Sequence, residues 1–556
     1  MMAVHSENIN FPVLGTLLPQ ALSIYLDGAI SAIPVNHLSI DSRAISKGDV
    51  FVALQGVSVH GEVFIPAAIK KGAVAILSAT TASDVFVEYR DEIPVIFIPH
   101  LEQYLSEIAG NFYHHPTKKV PVIGITGTNG KTSCAQIYAQ LSAFNGSAVG
   151  VIGTMGYGAC RPHVSHKNSQ DKDFQDKGFQ DKSSQNSHAS QSRAGQPGYS
   201  LSLVSTGMTT PDAIAAQFIC DELLHSNNAS NTLGLESVVM EVSSHGLEQG
   251  RVSALDINSA IFTNLTHDHL DYHGDMVAYG NAKAKLFEMP TINLAIVNLD
   301  DEFSHELTTK IASTVRVISY SIDNANADLY LDNIRYGHSQ LLADLYCNNE
   351  IYALSTPLIG RFNLSNLLAV LSVFSQQQNF SQVVASAQYL QPISGRMESV
   401  ENQEGIQVVV DFAHTPDALD NVLQAVSEYV DGEVYCVFGC GGDRDQSKRP
   451  LMAAVAERYA DHVVVTNDNP RSENPTDIAQ QVVQGFSSNN HCVIEEREEA
   501  IRFAIHHAKI GDMVVIAGKG HESYQLIGDQ KIPFSDRQVA LSALKDKSIG
   551  HEVSHD

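Results

Sequence analysis

The stretch Val120-Pro-Val-Ile-Gly-Ile-Thr-Gly-Thr-Asn-Gly-Lys-Thr-Ser133 decides the fold. Val120 to Ile125 is an apolar run of the kind that a strand buried on both faces requires. A glycine-rich turn follows, and Ser133 to Asn145 reads as a helix. Strand, glycine turn and helix open a βα phosphate-binding unit. Backbone N–H groups of such a turn can surround phosphate oxygens at the helix N-terminus. Lys131 can neutralise β/γ-phosphate charge, and Thr132 can reach Mg²⁺. A strict loop of this type carries a glycine five residues before Gly130. Ile125 stands there, so the pattern is a variant.

Downstream, strand-like runs at 237–242, 259–264 and 294–298 each end in polar residues. Parallel strands deliver functional groups at their carboxyl ends in this way. Upstream, short apolar runs at 48–54, 73–77 and 93–98 alternate with turns and predict a small α/β domain. Pro116–Lys119 reads as a linker. From Ser394 onward, runs at 407–411, 434–439, 462–466 and 512–518 alternate with helical patterns at Lys448–Tyr459 and Thr476–Phe486. That alternation predicts a Rossmann-like unit. The expected organisation is α/β throughout, in three domains over 1–117, 118–393 and 394–556. Residues 159–204 break the pattern. They are rich in Gln, Ser, Asp, Lys and His and carry a near repeat, Phe174-Gln-Asp-Lys177 and Phe179-Gln-Asp-Lys182. So polar a segment is expected to be a mobile surface insertion that packs against nothing.

Composition narrows the function. The chain has 556 residues, 44% of them apolar and 17% charged, which excludes a fibrous or mostly disordered protein. Acidic residues number 62 against 35 basic, a net charge of −27, so nucleic acid and anionic lipid are not expected partners. Met1 to Leu26 lacks a basic segment followed by an apolar run, and a soluble, cytoplasmic protein is expected. Seven scattered cysteines give no disulfide framework, and Cys436 and Cys440 lack a second ligand pair for zinc.

Gly127-Thr-Asn-Gly-Lys-Thr132 resembles the ATP loop of the Mur ligase and folylpolyglutamate synthetase superfamily, whose members form amide bonds through an acyl phosphate made from ATP. Further blocks resemble that superfamily in order. They are Thr209-Thr-Pro-Asp212, Glu241-Val-Ser-Ser-His-Gly-Leu-Glu-Gln-Gly-Arg251, Thr263-Asn-Leu-Thr-His-Asp-His-Leu-Asp-Tyr-His-Gly274 and Tyr279-Gly-Asn-Ala-Lys283. Phe362-Asn-Leu-Ser-Asn366, Gly395-Arg-Met-Glu398 and Asp411-Phe-Ala-His-Thr-Pro-Asp417 complete the series. The match is to the Mur ligase branch that forms UDP-N-acetylmuramoyl-tripeptide, and it spans nearly all the chain outside 159–204.

The resemblance implies roles residue by residue. ATP would be held by Gly127, Thr128, Asn129, Gly130, Lys131, Thr132, Ser133 and Asn366. Lys131, Glu241, His267 and Lys283 would be catalytic, and Mg²⁺ would be served by Thr132, Glu241, His267 and Lys283, the last as its carbamate, N6-carboxylysine. The UDP-muramoyl dipeptide would meet Ile40, Ser42, Val57, Ser58, Val59, Thr209, Thr210, Ser243, Gln249 and Arg251. Met208 and Val57-Ser-Val59 depart from the residue types of the branch. His267, His269 and His273 beside Asp268 and Asp271 could suggest zinc. ATP chemistry argues for Mg²⁺ and for one histidine near the metal or phosphate.

The acceptor amino acid would be read in the last domain by Arg444, Asp468, Asn469, Pro470, Arg471, Gly518 and Glu522. The motifs carrying them all follow strand ends, so they can converge on one pocket. Arg444 and Arg471 are fork-shaped carboxylate donors, and Asp468 and Glu522 can take an ammonium group. An arginine after Asp468-Asn-Pro470 points to meso-2,6-diaminopimelate, whose distal carboxylate lysine lacks. The implied activity is a monomeric, ATP- and Mg²⁺-dependent ligase adding diaminopimelate to UDP-N-acetylmuramoyl-L-alanyl-D-glutamate. The rival readings are a lysine-adding homologue, a folate-tail ligase disfavoured by the UDP-type domain ahead of the ATP loop, and an inactive ATP-binding scaffold.

Overall fold

The computed structural model describes residues 11–56, 59–163, 186–189, 197–225, 234–336, 340–358, 360–400, 402, 404–427, 430 and 432–552. Among these, α/β structure is built on three main sheets. The first has five strands in the order Leu38–Ser39, Val50–Ala53, Ala75–Thr80, Ile93–Pro99, Phe86–Arg90, parallel except for the last pair.

The central sheet positions the site. Its parallel part runs Leu329–Tyr336, Arg316–Ser321, Leu294–Asn298, Ser259–Phe262, Val122–Thr126, Leu235–Glu241, Ala148–Gly153. Val122–Thr126 lies between two strands and is buried at every residue, as its apolar run predicts. The register pairs Glu241 with Ile125 and Phe262 with Thr126, so Glu241, Thr263 and the glycine loop emerge at one sheet end. Helix Lys131–Phe144 is buried along almost its whole length. Helix Arg361–Phe374 packs on it, with Tyr138 and Phe374 stacked at 5.1 Å.

The third sheet runs Glu398–Ser399, Gln407–Asp411, Met513–Ala517, Val434–Phe438, His462–Val465, His491–Val493. All but the first strand are parallel. The four apolar runs expected after Ser394 are its central strands.

Two expectations are corrected. The margins of the 159–204 stretch do pack. Gly156–Pro162 and Tyr199–Leu203 are antiparallel strands that extend the central sheet, with Cys160 paired to both Val149 and Leu201. Tyr199, Leu201 and Leu203 are buried while Ser200 and Ser202 face outward. This two-residue alternation is a half-buried strand, hidden by the polar composition around it. The Phe174–Lys182 repeat lies outside the described residues. Pro116–Lys119 is not a free linker but a 3₁₀ turn whose Thr117 Oγ1 accepts the Asp256 N–H at 3.0 Å.

Candidate active site

The glycine loop is locked to the end of the neighbouring strand. Thr128 N donates to Asn264 O at 2.9 Å, and Asn129 N to Asn264 Oδ1 at 2.8 Å. Gly127 has φ +153°, and a Cβ there would lie 1.8 Å from Thr263 Oγ1. Gly130 has φ +86°, and a Cβ there would lie 2.3 Å from Asn366 Oδ1. Asn366 therefore packs directly on the loop, from helix Arg361–Phe374.

Lys131 Nζ folds back over the loop and donates to Gly127 O at 2.7 Å and Thr128 O at 2.8 Å. Burial lowers its pKa, opposed by the nearby Glu241 charge. Glu241 is the hub of the floor. Its carboxylate accepts from Thr132 Oγ1 at 2.9 Å, from Thr154 N at 2.9 Å and from Thr154 Oγ1 at 3.0 Å. Thr154 Oγ1 also reaches Thr209 Oγ1 at 3.0 Å. Thr210 Oγ1 bonds Ser243 Oγ at 3.0 Å, and Arg251 Nη1 donates to Thr210 O at 2.7 Å while its other nitrogens hold Gln249 Oε1. The five residues from Thr209 to Arg251 assigned to the peptide substrate thus form one connected group.

One cavity of about 410 Å³ joins these parts to the third sheet. Thr128–Thr132, Thr154, Thr209 and Glu241 line one side, and Arg444, Asp468, Asn469, Arg471, Gly518 and Glu522 the other. Asp468 and Asn469 are buried. Asn469 Nδ2 donates to Glu522 Oε2 at 2.9 Å, and Lys519 Nζ bridges Asn469 Oδ1 and Glu522 Oε2. Arg471 sits at φ +52° with Nη1 donating to Gly442 O at 2.7 Å. Burial lowers its pKa, as does the adjacent Arg444 charge. Pro470 supports the pocket through its backbone, its oxygen pressed against Gly442.

Other expected residues are not brought to the cavity. His267 is half exposed, with Nδ1 3.9 Å from Asp445 Oδ2. His269 and Asp268 line the wall instead, because the chain turns through a left-handed φ of +55° at His269. Burial pushes His269 down to about 4. Lys283 is buried, its Nζ 4.1 Å from the centre of the Tyr279 ring. Desolvation, then the Lys131 charge, holds its pKa well below the usual lysine range. Ile40, Ser42 and Val59 sit on the first unit away from the cavity, while Val57 and Ser58 lie outside the described residues.

Several cavity residues escape a reading of the sequence. Arg396 lies over the Phe412 ring at 4.8 Å, and its Nε is buried without a hydrogen-bond partner. Lys448 Nζ donates to His414 O at 2.9 Å. With Lys131, Arg444 and Arg471 these make five cations around one cavity, in a chain of net charge −27. Their blocks were visible as Gly395–Glu398, Asp411–Asp417 and the helix at Lys448, but no single residue type marked the buried ones. The Thr132 hydroxyl and the Glu241 carboxylate are hard oxygen donors and fit Mg²⁺. Among the described residues no cluster of three or more His, Cys, Asp or Glu is spaced to hold a metal alone.

Three family models match in sequence. The "Mur ligase family, catalytic domain" covers residues 34–113, the "Mur ligase middle domain" 125–374, and the "Mur ligase, glutamate ligase domain" 395–520. The chain is similar to UDP-N-acetylmuramoyl-L-alanyl-D-glutamate--2,6-diaminopimelate ligases. It is 40% identical to that of Ectopseudomonas mendocina over 96% of this chain and 100% of the relative. It is 38% identical to that of Coxiella burnetii over 95% and 100%. A solved structure of a protein of that name is 31% identical with a TM-score of 0.59, covering 94% of this chain and 97% of its own. Agreement of this extent, over nearly the whole chain and all three sheets, places the chain in the Mur ligase family.

Proposed function

We propose that the protein is an ATP-dependent ligase that joins meso-2,6-diaminopimelate to the D-glutamate γ-carboxylate of UDP-N-acetylmuramoyl-L-alanyl-D-glutamate, a step of peptidoglycan precursor synthesis. The observation that carries this reading is the single cavity shared by the glycine loop, Thr209, and the Arg471 and Glu522 group. The named relatives at 38–40% identity support the same substrates. The division into domains at 117/118 and 393/394 belongs to this reading.

The γ-carboxylate attacks the γ-phosphorus of ATP, ADP leaves, and an acyl phosphate forms. The acceptor amine then attacks the acyl carbon, the acyl–oxygen bond breaks, and the amide forms as the nitrogen gives up a proton that leaves with inorganic phosphate. Bringing two anions together is the obstacle, so fixed cations carry much of the catalysis. Lys131 exchanges its contacts with Gly127 O and Thr128 O for phosphate oxygens. Arg396 offers its unpartnered Nε–H to the same charge. Thr132 and Glu241 would hold Mg²⁺, which neutralises phosphate oxygens when bound. Lys283, whose charged form burial and the Lys131 charge disfavour, would take up CO₂ through its lone pair and lose a proton, leaving an N6-carboxylate. His269 rather than His267 would face the metal and phosphates.

Thr209, Thr210, Ser243, Gln249 and Arg251 would hold the peptide end of the nucleotide substrate. Ser42, with Ile40 and the segment Val57–Val59, would hold its uridine diphosphate. Arg471 and Arg444 would pair with the distal carboxylate of diaminopimelate, and Asp468 and Glu522 with an ammonium group. The enzyme would act as a monomer, and all three substrates are soluble small molecules, which supports a cytoplasmic enzyme. Among the described residues no helix is long and apolar enough to cross a membrane.

The test is ADP release with ATP, the UDP-dipeptide and diaminopimelate, omitting each in turn. All three are expected to be required. Lys131→Ala is expected to lower the rate on the order of 10²–10³-fold, as for other lost electrostatic stabilisers. Unchanged turnover in that variant would contradict the phosphate role.

A further inference from the structure

We propose that the ion pair between the buried Arg449 and the partly exposed Glu473 is the positioning device for Arg471, and so sets acceptor affinity without touching the acceptor. The proposal deepens the ligase reading and rests on its assignment of the acceptor pocket. Arg449 is fully buried, and its guanidinium meets both Glu473 oxygens, Nη1 to Oε2 and Nη2 to Oε1, each at 2.9 Å. It sits in helix Lys448–Tyr459 and carries no group into the cavity. A bidentate pair of this kind fixes direction as well as distance.

The pair grips both loops that shape the Arg471 fork. Arg449 Nη2 donates to Gly441 O at 3.2 Å, and Glu473 Oε1 accepts the Asp443 N–H at 2.5 Å. Between those anchors lies Gly442, whose oxygen accepts Arg471 Nη1 at 2.7 Å. Gly442 N in turn donates to Asn469 O at 3.0 Å. The loops are pressed so close that a Cβ on Gly442 would lie 1.9 Å from Pro470 O, and one on Gly441 2.9 Å from Arg471 Nη1. Arg471 itself is held in a left-handed conformation, φ +52°, two residues before Glu473. If the pair is broken, Gly442 O loses its fixed place and the guanidinium loses its aim.

The decisive test is a double-mutant cycle on the full-length enzyme with Glu473→Gln and Arg471→Ala. Glu473→Gln keeps the shape and removes the charge. It is expected to raise KM for diaminopimelate on the order of 10–100-fold, as the loss of a hydrogen bond to a charged group does. KM for ATP and for the UDP-dipeptide should stay within about twofold, because those contacts do not pass through Glu473. In the Arg471→Ala background Glu473→Gln should add nothing to the acceptor KM. Equal rises in all three KM values, or additive effects of the two substitutions, would overturn the proposal. If Glu473→Gln does not fold, Asp443→Asn loosens the same loop from the surface, where Asp443 holds Ser472 Oγ at 2.6 Å. It should raise only the acceptor KM, and a change in ATP KM of equal size would contradict the proposal. Should Arg471→Ala itself leave the acceptor KM unchanged, the acceptor pocket assignment fails. Should only Glu473→Gln do so, this inference alone fails.

Discussion

Asn129 Nδ2 donates to Asp417 Oδ2 at 2.8 Å, tying the glycine loop to the first turn of helix Pro416–Ser427. Thr266 Oγ1 reaches the same oxygen at 3.3 Å. The carboxylate thus bridges the two sides of the cavity. Hydrogen bonds to charged groups contribute about 1.5–3 kcal/mol. Asp417→Ala is therefore expected to lower kcat/KM for ATP by roughly tenfold to a hundredfold. Initial rates at varied ATP decide it, and wild-type values would show that the bridge does not help close the site.

Leu201 is buried in the strand Tyr199–Leu203, inside the stretch whose composition suggested no packing. Leu201→Ala is expected to cost about 2–5 kcal/mol, the range for large-to-small core changes. The neighbouring exposed Ser202→Ala should stay within about 0.5 kcal/mol. Urea unfolding of both variants checks this. Equal effects would mean that the strand is not part of the cooperative fold. A deletion running from 161 to 203 would remove this strand and is expected to destabilise the protein.

How legible was all this? Val122–Thr126, Leu294–Asn298 and Gln407–Asp411 were legible because a strand buried on both faces must be continuously apolar. The meeting of Arg471 with Glu522 was legible because parallel strands end at one edge. Arg396 and Lys448 were not, since a charged residue reads as surface until the tertiary structure buries it. His267 and His269 are two residues apart, and only the left-handed turn at His269 separates the one at the cavity from the one at the rim. The strands Leu329–Tyr336, Leu341–Cys347 and Glu350–Thr356 are not legible because turns of Asn and Asp interrupt modest apolar content.

The His245 and His269 rings lie 4.9 Å apart, and burial pushes both groups down to about 4. A histidine with a depressed folded pKa binds fewer protons folded than unfolded. Its stabilising contribution is fully present above the unfolded value, near pH 6.5, and is lost as the pH falls towards 4. Tm should decline through that window, and His245→Gln should decline less steeply. Parallel curves would show that His245 does not carry the dependence.

Lys283 is a buried amine whose charge is disfavoured by desolvation and by Lys131. Stripping bicarbonate should lower the rate and restoring it should recover it, because a neutral amine is the form that adds CO₂. Lys283→Ala is expected to lose on the order of 10–100-fold, as loss of a metal-site supporting group does. Short carboxylic acids should restore part of the rate. A fully active Lys283→Ala enzyme would exclude the carbamate.

The central claim is tested most directly by kcat/KM for meso-diaminopimelate against lysine, with ATP and UDP-N-acetylmuramoyl-L-alanyl-D-glutamate saturating. Arg471 donates one nitrogen to backbone oxygens of Gly442 and Asn469, and the rest of its fork faces the cavity. Lysine lacks the carboxylate that would meet it, and sites built around such a contact reject analogues by as much as ~10⁴-fold. The account predicts a preference for diaminopimelate approaching that size, collapsing in Arg471→Ala and not restored by Arg471→Lys, whose ammonium cannot form a planar fork. Comparable use of lysine by the wild-type enzyme would contradict it.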